Sequence, residues 1–256
     1  MPTSPNRSAA HRLLSVLAAF DTGHPALPLS DIARRARLPL TTAHRLVADL
    51  AAFGALERDA SGAYHIGLRM WELAALAPRG LALRETARPF MEDLYEATHE
   101  NVQLAVRDHL DVVYIERISG RTAVGVRTKV GARWPLHATG VGLVLLAHSD
   151  SALQEHVLAA ELARYTEHTM TDPARLRRVL AEVRSVDAVV SDRQVTDDAL
   201  SVAAPVRGPG GDVVAAVSVV VHVDGARPSA LVPPVRLAAR GVSRALGWHP
   251  DRRGST

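Results

Sequence analysis

Leu29-Ser30-Asp31-Ile32-Ala33-Arg34-Arg35-Ala36 and Leu40-Thr41-Thr42-Ala43-His44-Arg45-Leu46-Val47-Ala48-Asp49-Leu50 are two helical patterns separated by Arg37-Leu38-Pro39. Ser30 is placed to cap a helix starting at Asp31, whose carboxylate suits the positive helix N-terminus, and Ile32 and Ala36 give that helix one buried face. The turn is tight. Pro39 fixes the start of the second helix, in which Ala43, Leu46, Val47 and Leu50 recur at helical spacing until Gly54 stops it. Two short helices joined in this way form a helix-turn-helix. Beyond Gly54 the period changes: Leu56-Glu57-Arg58 and Tyr64-His65-Ile66 flank the polar turn Asp59-Ala60-Ser61-Gly62, a hairpin placed as a wing.

Upstream, Leu13, Leu17 and Phe20 recur at helical spacing and predict an amphipathic first helix. Arg7 and Arg12 before an apolar run superficially resemble a signal peptide, but no small-residue cleavage site follows. The longest strongly apolar stretches, such as Val213 to Val221, fall short of the roughly 18 to 20 residues a spanning helix needs. We therefore expect a cytoplasmic chain with no membrane contact.

The 256 residues contain no cysteine, which excludes disulfide staples, thiolate zinc sites and a cysteine nucleophile. Lys and Arg number 30 against 27 Asp and Glu, a net charge of +3, and residues 1 to 69 hold all of that excess. Arginine carries nearly all of the basic charge, Lys129 being the only lysine. A small basic domain attached to a neutral remainder points to a polyanionic partner.

Residues 69–82 read as a linker helix that ends near Pro78 and Gly80. Leu83, Ala87, Phe90, Met91, Leu94 and Tyr95 then form the stripe of another helix. After it the pattern turns strand-like: Val102, Leu104 and Val106 alternate with Gln103, Ala105 and Arg107, and Val113, Ile115 and Ile118 follow a turn at Asp108 to Asp111. Val202 to Val206 and Val213 to Val223 are β-branched runs around Gly208-Pro209-Gly210-Gly211, a second hairpin. Helices are expected near 140–148, 151–159, 173–185 and 230–247. The fold class is α+β with an antiparallel sheet. The expected division is 1–68 as a winged helix-turn-helix domain, 69–82 as a linker helix, 83–250 as a second domain and 251–256 as a tail.

The second helix of the pair presents Thr41, Thr42, His44 and Arg45 while Ala43, Leu46 and Leu50 face inward. Hydroxyls, an imidazole and a guanidinium suit phosphates and base edges in a major groove. Arg34, Arg35, Arg37 and Arg58 are placed to neutralise flanking phosphates. The competing reading is a solvated polar face on a small helical domain; turn, stops, wing and charge together favour double-stranded DNA.

The sequence resembles the IclR family of bacterial transcriptional regulators. The resemblance lies in Leu29 to Arg35, Leu38-Pro39-Leu40-Thr41-Thr42-Ala43-His44-Arg45-Leu46, Gly54 to Arg58 and Tyr64 to Gly67. It continues through Pro135-Leu136-His137-Ala138-Thr139, Gly142, Leu145 to Ala147 and Ala203-Ala204-Pro205-Val206, in the family's order over nearly the whole chain. It implies a winged helix-turn-helix, a linker helix and a C-terminal GAF-like domain binding a small organic acid or aromatic effector. It also implies a homodimer or homotetramer, whose symmetry demands an inverted-repeat operator. Carried over by position, the effector site holds Thr139, Gly140, Val141, Ser191, Ser201, Ser218 and Val220. Ser218 and Val220 share a strand face by the two-residue period.

The chain departs from the family's pattern in several places. Arg37 stands where glycine is usual, and a non-glycine in a left-handed turn costs about 1 to 2 kcal/mol, so a remodelled turn is expected. Leu40 replaces a common lysine and Thr41 a serine. Gly140 and Val141 stand where a small residue and serine are common, Leu143 where lysine is, Asp187-Ala188 where Gly-Tyr is, Gln194 where glutamate is and Ser191 where an acid is. These changes remove polar groups and predict a larger or more apolar cavity.

His137, His148, His156 and His168 occur with Asp150, Asp172, Asp192, Asp197 and Asp198, and His-Asp sets can do acid-base or metal work. Their spacing fits no metal-helix motif, Gly140-Val141-Gly142 lacks the rest of a dinucleotide fingerprint, and no strand-serine-helix elbow occurs. Glu96, His99 and Glu100 read as a solvated helix end, and His137 as structural. No enzyme activity, cofactor or metal is expected.

Overall fold

The first element, α1 (Ala9–Leu17), begins at Ser8, whose Oγ accepts the N–H of His11 at 3.1 Å. A two-residue strand, β1 (Ala26–Leu27), leads into α2 (Leu29–Ala36) and α3 (Leu40–Phe53). The computed structural model describes residues 8–21, 23–77, 80–120, 125 and 128–250. The chain falls into two compact units, Met1–Pro78 and Arg79–Thr256. Pro78, expected as a helix stop, Arg7 and the tail expected at 251–256 lie outside the described residues.

The helix-turn-helix is present, with one correction to its start. Helix α2 begins at Leu29, so Ser30 lies inside its first turn and makes no cap. Pro28, extended at φ −68° and ψ 157°, turns the chain into the helix instead, and its carbonyl accepts the N–H groups of Asp31 at 3.0 Å and Ile32 at 3.1 Å. The turn after α2 is not remodelled. Arg37 adopts the left-handed conformation itself (φ 55°, ψ 49°), with the N–H of Leu38 returning to the Ala33 carbonyl at 2.9 Å, a Schellman closure. Gly54, at φ 82°, ends α3 in the same way.

Strands β2 (Leu56–Arg58) and β3 (Tyr64–Ile66) form the wing hairpin, and β1 adds to its far side in the antiparallel order β1-β3-β2. Val16, Ile32, Leu46, Val47, Leu50 and Leu56 form the core of this unit, with Leu13, Leu17 and Phe20 packed against it. Helix α4 (Leu68–Ala75) belongs to the same unit; the Glu57 carboxylate accepts the N–H of Leu68 at 2.8 Å. None of its residues is buried.

The second unit opens with α5 (Leu81–Thr98), β4 (Asn101–Asp108), β5 (Asp111–Ile118), β6 (Arg133–Pro135), α6 (Gly140–Ala147), α7 (Ser151–Ala159) and α8 (Pro173–Val186). Strands β7 (Val189–Asp192), β8 (Ala199–Arg207) and β9 (Val213–His222) and helix α9 (Pro228–Ala245) complete it. The six strands form one antiparallel sheet in the order β6-β5-β4-β9-β8-β7.

Helices α5 and α9 cover one face of the sheet, meeting Val102, Leu104, Val202, Val217 and Val219. Helix α6 covers the other, with α8 packed against it, in a cluster that includes Ala105, Tyr114, Val189, Ala203 and Ala216. Burial on both faces explains why β8 and β9 read as continuous apolar runs. The described helices include none long and apolar enough to cross a membrane.

Candidate functional site

Along α3 the buried positions Ala43, Leu46, Val47 and Leu50 anchor one face and leave the other outside. Thr41, His44 and Arg45 are exposed and Thr42 is half-buried. None of the four makes a side-chain hydrogen bond or ion pair among the described residues. Unpaired donors on the first turns of a helix, where the backbone dipole is positive, form a surface suited to phosphate oxygens and base edges.

The surrounding arginines divide. Arg34 is exposed and pairs with Asp31 at 2.9 Å. Arg58 lies on the wing, donating from Nε to the Gly62 carbonyl at 3.1 Å with its guanidinium 5.6 Å from the Tyr64 ring centroid. Arg35 does not belong to the outward set: its Nε donates to the Ala19 carbonyl at 2.6 Å and its Nη2 pairs with the Asp21 carboxylate. It ties α2 to the turn after α1, because its position on α2 faces that turn rather than solvent.

In the second unit a cavity of about 490 Å³, its open mouth included, lies between the sheet and the first turn of α6. Thr139, Gly140, Ser191, Ser201 and Val220 line it, together with Gln103, Tyr114, Thr128, Ala138, Gln194, Val195, Thr196 and Ala199. Register brings these residues together: Ser191 lies opposite Ser201, and Ser201 opposite Val220.

Two expected members are corrected. Val141 packs its side chain into the core with Leu143 and Leu146, α6 being buried along its whole length. Ser218 shares the strand face of Val220 but lies one row further along, between Gln103 and Ala203, and does not line the cavity. Its buried hydroxyl has no hydrogen-bond partner among the described residues. The larger cavity expected from Asp187-Ala188 is not supported at those positions, since neither residue lines it; Asp187 instead accepts from Arg207 at 2.7 Å.

Among the described residues no charged side chain lines the cavity. Its polar groups are hydroxyls, amides and the start of α6. Thr139 accepts the N–H of Gly142 at 3.0 Å through Oγ1 and that of Leu143 at 2.9 Å through its carbonyl. The N–H groups of Gly140 and Val141 therefore remain without an intrahelical partner at the positive helix end, where a carboxylate can be held without a buried cation. Burial raises the Tyr114 phenol above the usual tyrosine range, against an opposing hydrogen bond with Thr139, so it stays protonated as a donor.

Several lining residues escaped the sequence reading. Gln103 carried a usable signal, an amide set between the apolar Val102 and Leu104; it is buried and donates to Thr128 Oγ1. Tyr114 and Thr196 carried none. His137 donates from Nε2 to the Ala163 carbonyl at 2.9 Å, and burial lowers its pKa, which fits a structural strut. Among the described residues no group of three His, Asp or Glu is placed to hold a metal ion.

Comparison with known proteins gives concordant results for both units. The family model described as IclR helix-turn-helix domain matches residues 6–60, and that described as bacterial transcriptional regulator IclR C-terminal matches residues 76–244. The HTH-type transcriptional regulator KipR of Bacillus subtilis is 31% identical over 88% of this chain and 91% of its own length. BhcR of Paracoccus denitrificans, an HTH-type transcriptional regulator, is also 31% identical, over 88% of this chain and 82% of its own. Among solved structures, an IclR homolog from Microbacterium hydrocarbonoxydans complexed with 4-hydroxybenzoate superposes with a TM-score of 0.89 at 38% identity, covering 93% of this chain and 99% of that one.

Proposed function

The chain belongs to the IclR family of bacterial transcriptional regulators, with a helix-turn-helix DNA-binding domain and an IclR C-terminal ligand-binding domain, and on that premise we propose that it binds an inverted-repeat operator as a dimer or tetramer whose affinity is set by a small organic acid. The observation that carries the first part is the exposed, unpartnered flank of α3 at Thr41, His44 and Arg45, with Thr42 half-buried beside them. Arg34 and Arg58 flank it on the phosphate side. Such work takes place in the cytoplasm.

Pairing of two chains is supported by the apolar side chains that the first unit leaves in water: Leu14 on α1, Leu68 and Trp71 on α4, and Leu76 just after it. Apolar surface of this kind marks an interaction site. Two-fold pairing sets two reading helices about 34 Å apart or a multiple of it. The stretch from α4 to the start of α5 serves as the connector between DNA-binding and ligand-binding domains.

The ligand reading rests on the cavity beside Thr139 and Gly140. It joins an apolar strand face at Ala199 and Val220 to a few converging hydroxyls and amides, the make-up of a small-molecule site. A carboxylate at the α6 N-terminus with an aromatic ring over Val220 and Ala199 fits its lining. The complex of the Microbacterium homolog with 4-hydroxybenzoate points to the same class of compound. The ligand acts only if it binds one arrangement of the paired reading heads better than the other. A ten- to hundredfold change in operator affinity corresponds to about 1.4 to 2.8 kcal/mol of coupling.

Footprinting the DNA upstream of the gene with the purified full chain, with and without 4-hydroxybenzoate and related aromatic acids, tests this. A protected inverted repeat that responds to one of these acids is expected. Protection that no organic acid alters contradicts the ligand part, and absence of protection contradicts the whole reading.

A further inference from the structure

Leu40 opens α3 and is 55% exposed. Its spacing from Ala43 and Val47 would place it toward the inner face, but Leu40 takes no part in the core that Leu38 packs against. A single exposed leucine is ordinary on a protein surface. Its position is not ordinary here. It precedes Thr41 in the same turn and stands one turn before His44 on the same flank, and Pro39 (φ −58°, ψ 144°) stiffens the backbone that carries it.

The residues at the N-terminal end of a reading helix are those that meet base edges. Leucine has no donor or acceptor and no charge, so it can hold neither a phosphate nor a polar base edge. The thymine 5-methyl is the apolar group that the major groove presents. We propose that Leu40 is a specificity-determining residue that reads a thymine methyl within the operator. This rests on the DNA-reading role of α3 proposed above. Leu40 then supplies discrimination while Arg34 and Arg58 supply charge.

The test uses the full chain and a duplex that it selects from a randomised library. Replacing each thymine of that duplex by uracil, one at a time, removes a methyl group and nothing else. The wild-type chain is expected to lose about fourfold in affinity at one or more thymines, the equivalent of about 0.8 kcal/mol for one buried carbon. Leu40→Ala is expected to bind the thymine duplex as weakly as the wild type binds the uracil duplex, to show no further loss on uracil, and to keep the wild-type salt dependence. Leu40→Met is expected to retain the uracil penalty. A wild-type chain indifferent to uracil at every position overturns the inference, as does Leu40→Ala with its uracil penalty intact. Either result leaves the DNA-reading role standing, whereas a chain that selects no duplex overturns both.

Discussion

Arg35 donates from Nε to the backbone carbonyl of Ala19 at 2.6 Å, joining α2 to the turn that follows α1. That bond and the pairing with Asp21 make Arg35 part of the domain's frame. Arg35→Ala should therefore destabilise the first unit by about 1.5 to 3 kcal/mol, the worth of a hydrogen bond from a charged donor. Thermal unfolding of the variant checks this. Below its melting temperature, its preference among DNA sequences should match that of the wild type.

The same junction responds to acid. The ring of His24 hydrogen-bonds the Asp21 carboxylate, and with the Gly23 N–H and Arg35 nearby it holds the Asp21 pKa at about 2, below the ordinary 3.8. A carboxyl whose pKa is lower in the folded chain favours folding above its unfolded value and loses that contribution as pH falls toward the folded one. The contribution of Asp21 should accordingly be complete above about pH 4 and disappear toward pH 2. Comparing the acid unfolding of Asp21→Asn with that of the wild type checks this; the two curves should converge at the acid end.

Arg37 carries the left-handed turn between α2 and α3 with a full side chain at φ 55°. Relief of about 1 to 2 kcal/mol of strain in Arg37→Gly is offset by about 0.5 to 1 kcal/mol of additional chain entropy, so a net gain of about 0.5 to 1 kcal/mol is expected. Chemical denaturation measures it. The exposed guanidinium is also lost, so DNA affinity should fall modestly and equally on all sequences.

Gly140 and Gly142 differ in what a methyl group would meet. At Gly142 it would stand 2.3 Å from the Leu136 carbonyl oxygen, whereas at Gly140 it would stand 2.9 Å from the Ser201 hydroxyl, which can rotate away. Gly142→Ala should destabilise the second unit by about 1 to 3 kcal/mol through overpacking. Gly140→Ala should leave the melting temperature nearly unchanged and weaken ligand binding by narrowing the cavity beside Ser201. Differential scanning calorimetry and ligand titration of the two variants separate these outcomes.

The helix-turn-helix was legible because its signals are local: one apolar period per helix, Pro39 before α3 and Gly54 after it. Strands β1, β6 and β7 were not: they are two to four residues long and, unlike the equally short β2 and β3, have no short polar turn ending in glycine to mark them as a hairpin. Arg35 escaped for a related reason. Its partners Ala19 and Asp21 lie on another element, and nothing near Arg35 in the sequence announces them. In the second unit, alternation placed Ser218 and Val220 on the correct face, but the covering helix α6 decides which row stays open. The same covering makes Tyr114 a cavity residue, which no property of its own strand could show.

The central claim is that the exposed flank of α3 reads duplex DNA, and Arg45 tests it most directly. Fluorescence anisotropy would follow binding of the wild type and Arg45→Ala to the selected duplex and to duplexes altered at one base pair, over a range of salt concentrations. Wild-type affinity should fall steeply with salt. Arg45→Ala should lose about 1 to 3 kcal/mol on the selected duplex and much less on one altered duplex, so that discrimination at that position relaxes. Equal binding of wild type and Arg45→Ala to every duplex, or wild-type binding indifferent to both base sequence and salt, would contradict the claim.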